Sequence, residues 1–317
     1  MKRHGLLILV LAAAAALFFS PVAQAWGCKG HQTVALLAEK HLTPAAKQMF
    51  VALLQNNPVD PKLKRFCGGE AADDFADAAT WADDVRTLHP ETAPWHFLDI
   101  PRGAPRGALT PFCGAAGCVT QAIEQQLAIL KDKTAASAQR AEALRFLIHF
   151  VGDLHQPLHT TTNGDRGGNC VPIRYFHRIP HLNGSSYEPN LHHLWDTEIL
   201  ERQAAGADPA EIADSLEASF ASKIPNWQQA RMHLEDWAWE GHQHAEETAY
   251  GALAKKIAVE PNVAVNTCAD NHNIGARMLH KHIVAGPTYQ NQAAAVVEES
   301  LAQAGIRLAM ILNEAAK

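Results

Sequence analysis

The chain is short of positive charge, of aromatic residues and of strand-like patterning. Lys and Arg number 27 against 33 Asp and Glu in 317 residues, and aromatics are 7%. Such an acid excess lacks the basic footprint of a general nucleic-acid coating protein. Past residue 25 no run is long and apolar enough to span a bilayer, so no membrane anchor is expected in the rest of the chain. No Cys-x-x-Cys pair occurs, which weakens zinc ligation by cysteine. Repeats, low-complexity linkers and a clear domain boundary are missing after Ala25. One mostly α domain is the economical expectation.

What is there begins with a targeting segment. Lys2, Arg3 and His4 precede an apolar run from Gly5 to Phe19, and Ala23-Gln24-Ala25 is a small-x-small cleavage site. Residues 1–25 therefore read as a secretory signal peptide, and a secreted or periplasmic location is expected. Residues 26–317 would form the mature domain of 292 residues, ample for a full core. Its formal charge would be −8, because the leader removes two basic and no acidic residues. Acidity does not exclude a small site whose positive field comes from metal ions. Six cysteines in an exported chain suggest up to three disulfides, with fifteen complete pairings open. Only Cys113–Cys118 is local enough to choose.

Apolar spacing predicts helices over Gly30 to Leu42 and from Pro44 to about Leu54, with Thr43 as the cap between them. Further helices are expected over Glu70 to Arg86, Thr120 to Lys131, Ala136 to His155, from near Asn190, from the Asp208 cap, over Trp227 to about Lys256, and over Gln292 to Asn313. His89 to Gly117 is a long Pro- and Gly-rich segment. Cys170 to Arg178 is the best strand candidate.

The stretch richest in chemistry is Phe146-Leu147-Ile148-His149-Phe150-Val151-Gly152-Asp153-Leu154-His155-Gln156-Pro157-Leu158-His159. His149 and Asp153 stand four apart on a buried helix, so both project from one face. Pro157 ends that helix, and His159 follows in the turn. A buried His beside a carboxylate needs a compensating charge, which points to a metal. Asn190-Leu191-His192-His193-Leu194-Trp195-Asp196 repeats the spacing through His192 and Asp196. Trp81-Ala82-Asp83 is followed thirteen residues on by His96. Cleavage after Ala25 would release an α-amine at Trp26, near His31, able to chelate through its own amine and carbonyl.

Taken together, the N-terminal Trp, Trp-Ala-Asp, Trp-His-Phe, HFVGDLHQPLH and NLHHLWD, in this order, resemble the S1/P1 nuclease family, secreted zinc-dependent nucleases related to zinc-dependent phospholipases C. The resemblance covers essentially all of residues 26–317. It implies a mainly α, single-domain phospholipase C/P1 nuclease-like fold with a short β-hairpin, bonded by disulfides. It also implies three Zn²⁺ ions per chain. Asp83, His96 and His149 would hold one. The amine and carbonyl of Trp26, with His31, would hold a second, and Asp153 would bridge these two. His159, His192 and Asp196 would hold the third. Asp83 would also orient or deprotonate the attacking water, and Arg86 would neutralise the phosphate. Phe97 and Asp99 would form a base pocket, and Asn169 would touch phosphate.

The implied function is hydrolysis of single-stranded DNA and RNA to 5′-phosphate products, together with 3′-nucleotidase action on nucleotides. A monomer without stable protein partners is expected. The competing readings are a zinc phospholipase C and a zinc-storage protein. Against the first stand the five-residue gap from Trp26 to His31 and an aspartate, Asp196, as last ligand. Against the second stand Arg86, Phe97 and Asp99, which storage does not need. Without the motifs, Arg86 would be a surface ion pair and Phe97 core. Asp84 would rival Asp83, while His242 and His244 read as a solvated helix face.

Overall fold

The computed structural model describes residues 26–67, 74–184, 186–260, 268 and 278–317. The leader assignment for residues 1–25 lies outside them. Helix α1 (Cys28–Lys40) is followed by α2 (Pro44–Gln55), whose start is capped by the Thr43 hydroxyl accepting from Ala46 N at 3.2 Å. Pro44 fits there because the first-turn N–H has no helical partner to lose. Two short helices come next, α3 (Phe75–Ala78) and α4 (Trp81–Val85). The continuous helix expected up to Arg86 is therefore broken. Asp74 caps the first piece through Asp77 N at 2.7 Å, and Thr80 interrupts before Trp81. The expected start at Glu70 falls outside the described residues.

A 3₁₀ turn (Pro90–His96) leads through the long loop to α5 (Val119–Lys131) and α6 (Ser137–Leu154). Helix α6 is the axis of the molecule: from Ala143 to Leu154 every residue is buried. A helix apolar all round belongs in the interior. Packed against it are α5, α2, α3, α4 and the last helix. It stops at Leu154, ahead of a 3₁₀ turn (Pro157–His159) opened by the proline.

The strand expected over Cys170 to Arg178 shrinks to β1 (Arg174–Tyr175). A hairpin follows, β2 (His181–Asn183) and β3 (Ser186–Glu188), pairing His181 with Glu188 and Leu182 with Tyr187. Helix α7 (Leu191–His193) runs into a π-turn (Leu194–Glu198) and α8 (Ile199–Gln203). Helix α9 (Pro209–Ser219) carries the capping box of Asp208 and Glu211. The long helix expected from Trp227 is instead α10 (Ile224–Gln229), α11 (Leu234–His244) and a second π-turn (Ala245–Tyr250). The break falls at residues 230–233, between the end of α10 and the start of α11. Strand β4 (Val284–Ala285) pairs in parallel with β1. Helix α12 (Pro287–Ala315) begins five residues earlier than the apolar pattern suggested and packs along α1.

Disulfides join Cys28–Cys67, Cys113–Cys118 and Cys170–Cys268. The local pair is the one its spacing singled out. Trp195, Trp237 and Trp239 are core residues.

Candidate metal centre

Five elements deliver the candidate ligands to one buried region: α1, α4, the Pro90–His96 turn, α6 with the turn after Pro157, and α7 with its π-turn. Three sets of side chains bring ligand atoms within 4.8 Å of one another: Asp83, His96 and His149; His31, His149 and Asp153; His159, His192 and Asp196. All are buried. His149 and Asp153 face the same way because a four-residue step is about one helical turn.

Asp153 lies between the first two sets. Its Oδ2 is 3.0 Å from His96 Nδ1 and 3.2 Å from His149 Nε2, while its Oδ1 is 3.4 Å from His31 Nε2. Trp26 is fully buried beside it, with the indole N–H donating to Gly152 O at 2.8 Å. Gly27 N donates to Asp196 O at 2.7 Å. Gly152 makes this approach possible: a Cβ there would stand 2.9 Å from His31 Nδ1. The third set is built on different supports. His192 Nε2 is 3.3 Å from Asp196 Oδ2, and His159 Nε2 is 4.0 Å from Asp196 Oδ1.

The backbone fixes which nitrogen each ring offers. Nδ1–H of His149 donates to Ala79 O, that of His159 to His96 O and that of His192 to Gly167 O, each at 2.7 Å. Each Nε2 then points into a cluster, an arrangement typical of metal-binding imidazoles. Gly167 reaches His192 because its φ is +59°, and a Cβ there would lie 2.6 Å from Leu158 O. Gln156, fully buried, donates from Nε2 to Asp196 Oδ1 and accepts from Leu158 N. The Gln156 contact was not legible in the sequence, although the residue sits inside the richest motif.

The electrostatics are frustrated without a cation. Burial pushes His31 and His96 down to about 4 and His192 to about 3. Burial acts against His149 too, but Asp153 and Asp83 overcome it and raise the ring to about 9. Burial alone would raise Asp153, yet the field of His149 and the imidazole nitrogens of His149, His31 and His96 that surround it hold it well below the carboxylate range. Asp196 goes the other way: burial dominates, Gln156 opposes it, and Asp153 and Asp83 add to it. Meanwhile both His31 nitrogens, His96 Nε2, His159 Nε2, Asp83 Oδ1 and Asp153 Oδ1 are buried without hydrogen-bond partners. Orphaned buried polar atoms of this kind are costly. Divalent cations would satisfy Asp83 Oδ1, Asp153 Oδ1, His31 Nε2 and His159 Nε2 at once, and a nitrogen and oxygen donor set of this composition suits zinc.

Around this centre the other expected residues are placed as follows. Arg86 Nη2 is 3.4 Å from Asp83 Oδ1. Asp84 is turned away, pairing with Arg65 and with Phe66 N. Phe97 is 39% exposed, and its carbonyl accepts from Val119 N at 3.1 Å. Asp99 also lies at the surface; its carboxyl is pushed up to about 6, first by the protein crowded around it and then by buried Asp165. Solvent contact limits the first of these. Asn169 spends one donor on Arg166 O at 2.8 Å. His242 is buried and 2.9 Å from the Thr161 hydroxyl, so it is not on a solvated face. His155 bonds Val151 O and Arg307, away from the clusters.

The chain is similar to known proteins over nearly all of its length past residue 25. A family model described as S1/P1 Nuclease matches residues 26–317. Nuclease P1 of Penicillium citrinum is 28% identical over 294 residues, covering 91% of this chain and 97% of its own. Nuclease S1 of Aspergillus oryzae (strain ATCC 42149 / RIB 40) is 28% identical over 305 residues, 95% of each chain. Endonuclease 4 of Arabidopsis thaliana is 29% identical over 305 residues, 91% of this chain and 88% of its own.

Proposed function

The chain belongs to the S1/P1 nuclease family, phosphodiesterase hydrolases of nucleic acids, and on that premise we propose a trinuclear zinc nuclease that cleaves single-stranded DNA and RNA. Products carry 5′-phosphates, and 3′-nucleotides lose their phosphate at the same site. Residues 1–25 are removed on export to the periplasm or the medium, and the new Trp26 amine completes the second cluster beside His31. Asp83, His96 and His149 would hold the first ion, His31 with Trp26 the second, with Asp153 serving both, and His159, His192 and Asp196 would hold the third.

When bound, zinc supplies a lowered water pKa and stabilises negative charge on phosphate and leaving oxygens. The side chains do the rest. Asp83 accepts a hydrogen bond from the attacking water. Arg86, held beside Asp83, presents a planar fork to the phosphate oxygens. The Phe97 ring stacks on an unpaired base, a contact of about 1–3 kcal/mol that duplex stacking would prevent. Asp99 accepts from exocyclic base amines when ionised. Asn169 reaches a phosphate with its remaining amide hydrogen.

The single observation that carries this reading is the split of Asp153, one oxygen toward His96 and His149 and the other toward His31. The test is metal counting on the purified mature chain, followed by assays on single-stranded DNA, RNA, duplex DNA and phosphatidylcholine. About three zincs and a preference for single strands are expected. Lipid turnover without nucleic-acid turnover, or fewer than two zincs without hydrolysis, would overturn the proposal.

A further inference from the structure

A cavity of ≈ 770 Å³ lies between α4, the Pro90–His96 turn, α5 and α6, and none of the candidate metal ligands lines it. Its deep wall is aromatic. Trp81 and Phe146 are 6% and 8% exposed, and the Phe146 ring meets Trp81 and Trp95 edge to face at 5.0 and 5.8 Å. Its rim is acidic, with exposed Glu91, Asp132 and Glu142. Neither Lys nor Arg is in the described lining, and its one imidazole, His89, lies 3.0 Å from Glu91.

A second observation is independent of the charge. Gln126 lines the cavity and is 5% exposed, yet its amide has no hydrogen-bond partner among the described residues. The Trp81 indole N–H likewise has none. Neither is among the fully buried unpaired atoms, so both polar groups open onto the cavity, where a ligand that offers polar groups would pair with them.

The chemistry narrows the ligand. Three carboxylates repel phosphates and other anions. Aromatic faces attract cations, more strongly where water is displaced. Ammonium groups form charge-assisted hydrogen bonds with carboxylates, and also donate to an amide oxygen. Methylene segments between them cover apolar rings. We propose that this cavity is a binding site for a linear organic polycation of the aliphatic polyamine class. Ammonium groups lie at the Glu142 and Glu91 rim and at Gln126 Oε1, with the alkyl chain against Trp81, Trp95 and Phe146. The site does not depend on which metal the clusters hold.

Spermidine is the probe, titrated into the purified metal-loaded protein at physiological salt without nucleic acid, followed by calorimetry and tryptophan fluorescence. One saturable site per chain is expected, with a change in emission. Glu91→Gln combined with Glu142→Gln should weaken it at least tenfold, and Gln126→Leu should weaken it separately. Hydrolysis of single-stranded DNA without the amine should be unchanged in these variants, which also shows that they fold. Three results would overturn the proposal: no saturation in the millimolar range, several weak equivalents untouched by the substitutions, or equal affinity for an uncharged nucleoside.

Discussion

Asp153 and Asp196 each follow a histidine by four residues, yet their surroundings give them opposite characters. Asp153 sits in a regular helix and faces His31, His96 and His149 at 3.0–3.4 Å, so it stays ionised. Asp196 sits in a π-turn, has His192 at 3.3 Å and Gln156 as donor, and is held well above the carboxylate range. A shared spacing thus builds two different sites. The first is a fused pair of clusters with a common carboxylate and a common imidazole. The second is a separate cluster whose acid is tuned by an amide. Ligand spacing decides that a carboxylate faces an imidazole; burial and neighbouring charge decide what the carboxylate then is.

The strongest way to break this comparison is to remove the shared carboxylate. Asp153→Ala should cost two zincs and lower activity by at least about a hundredfold, more than loss of an outer hydrogen-bond partner would. His159→Ala should cost one zinc. Metal counting on both variants checks the difference, and equal losses would mean that the first two clusters are not fused.

Acid sharpens the comparison in the metal-free protein. His31, His96 and His192 have folded values of about 4, 4 and 3 against an ordinary 6.5. Between pH 6.5 and 4 the unfolded chain therefore binds protons that these rings refuse, and stability falls as pH drops. His149, raised to about 9, acts in the opposite sense: its contribution is complete below 6.5 and is lost as pH rises through 9. Asp196, raised, is protonated in the fold and offsets part of the acid loss. Three lowered rings outweigh it, so urea midpoints with chelator present should fall from pH 6.5 to 4. With zinc bound, the fall should coincide with zinc release as the ligands protonate.

Much of this was legible in the sequence where a local rule controls the outcome. Four-residue spacing put His149 beside Asp153 and His192 beside Asp196, and Pro157 announced the end of α6. The five-residue spacing of Cys113 and Cys118 singled out their bond. The losses came where distant contacts decide. The helix pattern reads straight through Thr80 and through residues 230–233, because side chains at those breaks carry no strong local stop. Cys170 to Arg178 has strand-like residues, but the consecutive pairing there is that of Arg174 and Tyr175 with Val284 and Ala285, more than a hundred residues away, beside an isolated bridge of Pro172 to Asn190. His242 lies on an amphipathic helix, yet Thr161 buries and bonds it. No spacing rule shows that Gln156 turns toward Asp196.

Gln156 offers the finest discrimination between the two regions. Its Nε2 donates to Asp196 Oδ1, while Oδ2 of the same carboxylate lies nearer His192. The amide therefore fixes the rotation of the Asp196 carboxylate and favours its ionised form. Gln156→Leu keeps most of the volume but removes that donor and leaves the Leu158 N–H without its acceptor. Loss of such a supporting hydrogen bond weakens metal affinity by about 10–100-fold. The loss should be confined to the third ion, read as one zinc released early in a chelator titration while two remain. The Gln156 amide bonds Asp196 and Leu158 rather than Asp153, so the fused pair loses no hydrogen bond in this variant. Early release of all three ions would show that the two regions share one support and that the contrast between Asp153 and Asp196 does not divide the centre.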